Sequence, residues 1–227
     1  MTQSTISPTS LTTKNDAPFV PHSRISIRTG LWSFMLGVGL VTPLLVMLGS
    51  LHLPSGIEEA AMRQHRFFEY TLHPFSLFLQ AVVIFPLWEE TFYRGMILQL
   101  LRRYVPTWFA VLITTLFFGA THLGQGWTTA LNATLLGGIF AWLTMRTNSV
   151  IPSMLCHAAF NFTWFFLLGP AFGITDMIVN YTSGQAIHPP SLLTGYFPAW
   201  WMIISLGLVI AGRILITRDV PKAPAVI

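Results

Sequence analysis

Charge is scarce in this chain. Asp, Glu, Lys and Arg together make up 9% of its 227 residues, against about 25% in an ordinary soluble domain. Cysteine is scarcer still: Cys156 stands alone, so no intrachain disulfide can form and the redox compartment stays open. A single Cys in an apolar stretch reads as a small packing residue. The chain has no H-E-x-x-H zinc-protease motif, no internal repeat, and no matched pair of Gly/Pro-broken segments of the kind that marks many transporters. Twelve Lys and Arg against eight Asp and Glu leave a net charge of +4. These basic residues are scattered between apolar runs and form no basic face, so nucleic acid is not an expected partner. Residues 1–29 are rich in Ser, Thr and Pro without a compact apolar core, so a cleaved secretory signal is not expected either.

What is abundant is apolar. Hydrophobic residues make up 53% of the chain, with 18 Phe and 8 Trp and a mean hydropathy of +0.62. A helix needs about 20 such residues to cross roughly 30 Å of hydrocarbon, and six windows qualify: Gly30 to Leu51, Phe75 to Leu101, Pro106 to Leu123, Trp127 to Met145, Val150 to Leu168, and Phe197 to Ile216. The expected fold class is all-α, a polytopic membrane bundle of about six transmembrane helices. The expected domains are a disordered cytoplasmic tail over 1–29, a transmembrane domain over 30–216 and a second tail over 217–227. Trp32, Trp108, Trp127, Trp200 and Trp201 fall near helix ends, where an interfacial aromatic belt belongs.

Orientation follows from the basic residues. With both termini in the cytoplasm, Lys14, Arg24, Arg28, Arg102, Arg103, Arg146, Arg213, Arg218 and Lys222 lie inside, and Arg94 in the inner half of its helix. Only Arg63 and Arg66 of the twelve fall outside, in accord with the positive-inside rule. Ser55-Gly-Ile-Glu58 has the form of a capping box and opens a polar helical stretch to about Leu72, read as a helix lying on the bilayer. The Pro-containing segment Gly169 to Tyr196 is an excursion on the same side, either a lid or a connector. Small residues at Gly119, Ala120, Gly137 and Gly138 suit close helix approach.

Against this background a few polar residues inside the spans stand out. Glu89 and Glu90 are adjacent in the second span, and a charge near the bilayer centre costs roughly 2.5–3.5 kcal/mol on insertion scales. Arg94 is i,i+4 from Glu90, so the two share a face and can pair. Glu89 is turned about 100° away and is the candidate base. His157 and Asn161 are likewise i,i+4 on the fifth span, and His122 lies near the outer end of the third. At about 1.5 Å per residue, Glu89, His157 and Asn161 fall at compatible depths, with His122 somewhat nearer the outer side. Taken singly, a buried His, a tethering Asn or a Glu–Arg pair is ordinary packing usage. Polar groups on three spans at one level are harder to explain as independent packing.

Three patterns carry a resemblance. Glu89-Glu90-Thr91-Phe92-Tyr93-Arg94 has the form E-E-x-x-x-R, Phe118-Gly-Ala-Thr-His122 the form F-x-x-x-H, and His157-Ala-Ala-Phe-Asn161 the form H-x-x-x-N. Together they resemble the CAAX-protease and bacteriocin-processing (CPBP or Abi) family of intramembrane endopeptidases, over a core of about residues 85–166. The resemblance implies a water-accessible cavity in a helical membrane fold. It also implies Glu89 as the base that activates water, His122 as its partner, His157 with Asn161 as stabilisers of the oxyanion, and Glu90 with Arg94 as support. The implied partners are the lipid bilayer and a membrane-associated peptide or protein, prenylated or not.

No cofactor is the favoured expectation. Zinc is the alternative, with Glu89, His122 and His157 as a His₂Glu ligand set, though Asn161 beside them is a poor zinc ligand. Two other functions compete with proteolysis: a non-catalytic immunity or regulatory protein with the same fold, and a proton-coupled transporter, since intramembrane Glu and His also form proton relays.

Overall fold

The computed structural model describes residues 25–50, 74–125, 127–168 and 199–220. The expected surface helix over 55–72 and the 169–196 excursion lie outside the described residues. Six helices long and apolar enough to cross a membrane are present, and no strand occurs among the described residues. We label them α1 (Ile27–Ser50), α2 (Phe75–Leu101), α3 (Thr107–Thr121), α4 (Trp127–Thr147), α5 (Ile151–Leu168) and α6 (Ala199–Asp219).

Each expected span is found, with ends set by local chemistry. Helix α1 begins three residues before Gly30 because Ser26 caps it, its Oγ accepting from the Thr29 amide at 3.1 Å in the manner of an N-cap. Helix α6 runs beyond Ile216 to Asp219. Helix α3 stops at Thr121, and His122 follows with φ −93° and ψ 0° at its end.

Helix α1 packs against both α5 and α6; α3 lies along α4, α4 along α5, and α2 crosses α3, α4 and α5. Close approach requires glycine at two contacts. A Cβ on Gly37 of α1 would collide with the Cys156 carbonyl and come within 2.9 Å of Ala159 Cβ on α5, and one on Gly119 of α3 would collide with Thr134 Oγ1 on α4. The expectation of close approach holds for Gly119 and Gly137, whereas Gly138 faces open space and Ala120 is exposed. Cys156 is fully buried, in keeping with a packing residue.

Polar ties place several helix ends together. Trp32 Nε1 donates to Asp219 Oδ2 at 3.1 Å, and Arg146 Nη2 to the Thr217 carbonyl at 2.7 Å. The start of α1 and the ends of α4 and α6 therefore share one face of the bundle. Leu101, Val105 and Met145 join one small apolar cluster, which brings the Arg102–Arg103 turn to that face as well. The large apolar side chains Phe75, Trp88, Leu116, Trp200 and Ile203 are exposed on the outside of the bundle, as lipid-facing positions should be when hydrocarbon replaces water.

Helices α2 and α5 are not regular. α2 holds two π-helical stretches, Leu79–Ile84 and Thr91–Ile97, on either side of the short α-helical piece Phe85–Glu90, and α5 turns π-helical at Thr163–Leu168. Such wide turns concentrate at functional sites.

Candidate active site

The glutamate pair closes the α-helical piece between the two wide turns of α2. Glu90 is fully buried, and its Oε1 accepts from Arg94 Nη1 at 2.8 Å and from His157 Nδ1 of α5 at 3.2 Å. An ionised carboxylate only accepts hydrogen bonds, so His157 carries a proton on Nδ1 and turns Nε2 toward the rest of the site. Glu90 Oε2 is buried without a protein partner. Removing a charge from water costs several kcal/mol, and Arg94 is what makes a buried anion tolerable here.

Arg94 is itself held on several sides. It is 1% exposed, its Nη2 donates to the Gly137 carbonyl of α4 at 3.1 Å, and its guanidinium lies 4.4 Å from the Phe118 ring centroid and 5.2 Å from that of Phe140. A desolvated guanidinium gains from such aromatic faces. Gly137 eases this contact, because a Cβ there would stand 3.1 Å from Nη2 and 3.2 Å from the Phe118 ring, and both would have to give slightly. The same two rings grip His157: Phe140 stacks on it at 4.7 Å and 21°, and Phe118 meets it edge-on at 6.1 Å.

Glu89 has a different environment. Its side chain keeps 22% of its surface accessible, and Oε2 stands 3.7 Å from His157 Nε2. That separation is ion-pair contact and exceeds hydrogen-bond length, so the carboxylate keeps lone pairs for another partner. His157 thus lies between the two glutamates, each facing a different ring nitrogen. The i,i+4 spacing reveals the Glu90–Arg94 pair; it cannot reveal that Glu90 also binds His157, because that contact spans 67 residues.

His122 lies at the end of α3 with Nδ1 2.8 Å from the Phe118 carbonyl, an acceptor that fixes the proton on Nδ1 and leaves Nε2 outward. Its ring meets the Phe118 ring at 4.8 Å, so Phe118 separates the two histidines. No hydrogen bond or ion pair joins His122 to Glu89 among the described residues. Asn161 Nδ2 donates to the Ala81 carbonyl of α2 at 2.8 Å. The structure therefore gathers Glu89, Glu90, Arg94 and His157 in direct contact, with His122 one ring away and Asn161 one turn along α5 from His157. The aromatic walls Phe118 and Phe140 were not singled out as site residues from sequence; Phe118 entered only as the first letter of a motif.

Among the described residues no group of three or more His, Cys, Asp or Glu side chains is arranged to hold a metal ion. Both histidines have Nδ1 committed to an oxygen acceptor, which leaves Nε2 of each as the ring nitrogen turned toward a ligand.

In comparison with known proteins, residues 71–163 fit a family model described as type II CAAX prenyl endopeptidase, Rce1-like. No curated protein and no solved structure matches the chain. The matched region covers α2, α3, α4 and α5 as far as His157 and Asn161, and so contains all three motifs. Over those residues the chain is similar to the Rce1-like CAAX proteases.

Proposed function

We propose that the chain is an intramembrane endopeptidase that hydrolyses a peptide bond near the end of a membrane-associated or lipidated protein of CAAX type, with water activated by Glu89. The single observation that supports this most is the unequal environment of two adjacent carboxylates. Glu90 is sealed by Arg94, and Glu89 is partly open beside a histidine that Glu90 holds in place. Unequal surroundings divide roles between neighbouring acids.

In this reaction Glu89 takes a proton from water as the oxygen adds to the substrate carbonyl. The C–N bond then breaks, and the proton passes from Glu89 to the leaving amine. His122, with Nε2 free, orients the water. The developing oxyanion is met by His157 from Nε2 when that nitrogen is protonated, and by the amide N–H of Asn161 that Ala81 does not use. Donors of this type contribute about 3–4 kcal/mol each in a site that excludes water. Glu90 and Arg94 act through His157, fixing its ring and tautomer. This scheme needs no metal.

The test is a comparison of membrane peptides in cells carrying the wild-type chain or Glu89→Ala. A shortened carboxy-terminal product that appears only with wild type is expected. The same product from both chains overturns the assignment of Glu89, and wild-type biological function in Glu89→Gln with no product from either chain favours the non-catalytic membrane protein. Proton-coupled flux in proteoliposomes would instead point to transport.

A further inference from the structure

Each π-helical stretch in α2 contains a backbone carbonyl that accepts a side-chain amide, from α5 in the first stretch and from α2 itself in the second. In the first stretch the Phe85 amide donates to the Gln80 carbonyl, five residues back. The next bond in that pattern would run from residue 86 to Ala81. Residue 86 is Pro, which has no N–H, so the pattern stops there and the Ala81 carbonyl is left over. Ala81 is 3% exposed, and a buried carbonyl without a donor is costly. Asn161 Nδ2, 80 residues away in sequence, donates to it at 2.8 Å.

The second stretch repeats the arrangement. The Leu98 amide reaches back five residues to Tyr93, the helix returns to α geometry at Leu98–Leu101, and the Arg94 carbonyl left at the change of pitch accepts from Gln99 Nε2 at 3.0 Å. Glu89 and Glu90 lie between these two transitions. A wide turn inserts one residue and rotates everything beyond it by about 100° relative to a regular helix. The carboxylates keep their faces only while both turns hold.

We infer that Asn161 is a positioning residue that acts through the Pro86-orphaned carbonyl of Ala81, fixing the wide turn that aims Glu89. This inference rests on the protease reading for its consequence in catalysis, while the clasp itself is independent of it. It also gives Pro86, itself fully buried, a definite part: it removes the backbone donor that would make Asn161 redundant.

The test is a double-mutant cycle of Asn161→Ala and Pro86→Ala in full-length chain reconstituted in liposomes, read on a prenylated CAAX peptide and by amide hydrogen exchange over residues 82–90. Asn161→Ala is expected to lower kcat at least about tenfold with KM within about twofold, the signature of lost transition-state alignment. In the Pro86→Ala background, where residue 86 can donate to Ala81, the same change should cost at least about tenfold less than in wild type, because only the direct contact of Asn161 with the oxyanion is then lost, a coupling of the size expected for groups that share one partner. Equal losses in the two backgrounds overturn the inference and make Asn161 a group that touches substrate only.

Hydrogen exchange reads the clasp without catalysis. Asn161→Ala should speed exchange in 82–90 and Pro86→Ala should restore protection; protection unchanged by Asn161→Ala overturns the clasp in a fully active protein. If Pro86→Ala does not fold, the Asn161→Ala exchange measurement alone decides. Accelerated exchange in a chain whose wild type cleaves nothing upholds the clasp and overturns the protease reading.

Discussion

The two sides of the bundle are built by different rules. On one, α1 and α6 are unbroken helices without π turns, tied by Trp201 Nε1 to Thr42 Oγ1 at 3.0 Å and by Trp32 to Asp219, and α1 seats against α5 through Gly37. On the other, α2 and α5 hold three π-helical stretches between them and carry a buried carboxylate, a buried guanidinium and a buried imidazole. Van der Waals fit dominates the first side, as is usual between membrane helices. The second concentrates charge and irregular backbone, both of which are costly in a bilayer. Costs confined to one place, on a scaffold that carries none of them, are what a reaction site looks like, and the contrast can be broken by mutation from either side.

The largest effect is expected on the irregular side, at Glu89. Glu89→Ala should lower cleavage of a prenylated CAAX peptide by about 10²–10⁴-fold, the range that a general base contributes, while the protein still inserts and its melting temperature in detergent stays near that of wild type. Glu89 is partly open and is not the anion that Arg94 neutralises directly, so its removal leaves no buried charge alone. Cleavage at wild-type rate would end the claim that the irregular side is the catalytic one.

Next in size is Arg94→Ala. It strands Glu90, fully buried with one oxygen already unpartnered, and breaking a buried pair from one side costs about 3–5 kcal/mol. Thermal unfolding in detergent should show the loss, and cleavage should fall with it because His157 loses its fixed partner. Replacing both residues together, Glu90→Gln with Arg94→Met, should recover much of the stability but not the activity. Activity restored in that double variant would mean that the pair is a tether with no part in holding His157.

These expectations also show what the sequence can and cannot reveal. The six spans are legible because hydropathy over about 20 residues is a direct readout of bilayer thickness. The Glu90–Arg94 pair is legible because i,i+4 geometry is local. The cross-helix contacts are not: that Glu90 binds His157, that Arg94 is roofed by Phe118 and Phe140, and that Asn161 serves Ala81 all depend on how α2 and α5 meet. The wide turns are equally hidden, because one inserted residue leaves the apolar pattern of a membrane helix almost unchanged. Pro86 was the available signal, since a proline inside a span orphans a carbonyl, but sequence alone does not say which side chain will serve it. His122 marks a further limit: depth along a helix placed it near the others, and only its position behind Phe118 shows that it meets the site across a ring.

On the regular side, effects should be smaller and should spare chemistry. Gly37→Val puts branched atoms against the Cys156 carbonyl and Ala159, and overpacking of this kind costs about 1–3 kcal/mol. Melting temperature should drop while kcat, measured below the transition, changes by less than about twofold. A large loss of kcat would show that strain at the α1–α5 seam reaches His157, one residue beyond Cys156, and that the two sides are not energetically separate.

The smallest effect is expected at Trp201→Phe, which keeps an aromatic ring but deletes the donor to Thr42 Oγ1. Thr42 is 1% exposed, so its hydroxyl loses a partner that neither lipid nor water can readily replace. A single neutral hydrogen bond contributes about 0.5–1.5 kcal/mol net, and in membranes the unfolded chain finds substitutes, which brings the figure toward the lower end. The melting temperature should therefore fall by only a few degrees, with cleavage unchanged. The comparison that matters is with Asn161→Ala, which also removes one side-chain donor to a buried oxygen of a neighbouring helix. If the two variants cost similar stability but only Asn161→Ala slows turnover, the difference between the two sides of the bundle lies in what each hydrogen bond positions, since the bonds themselves are of comparable strength.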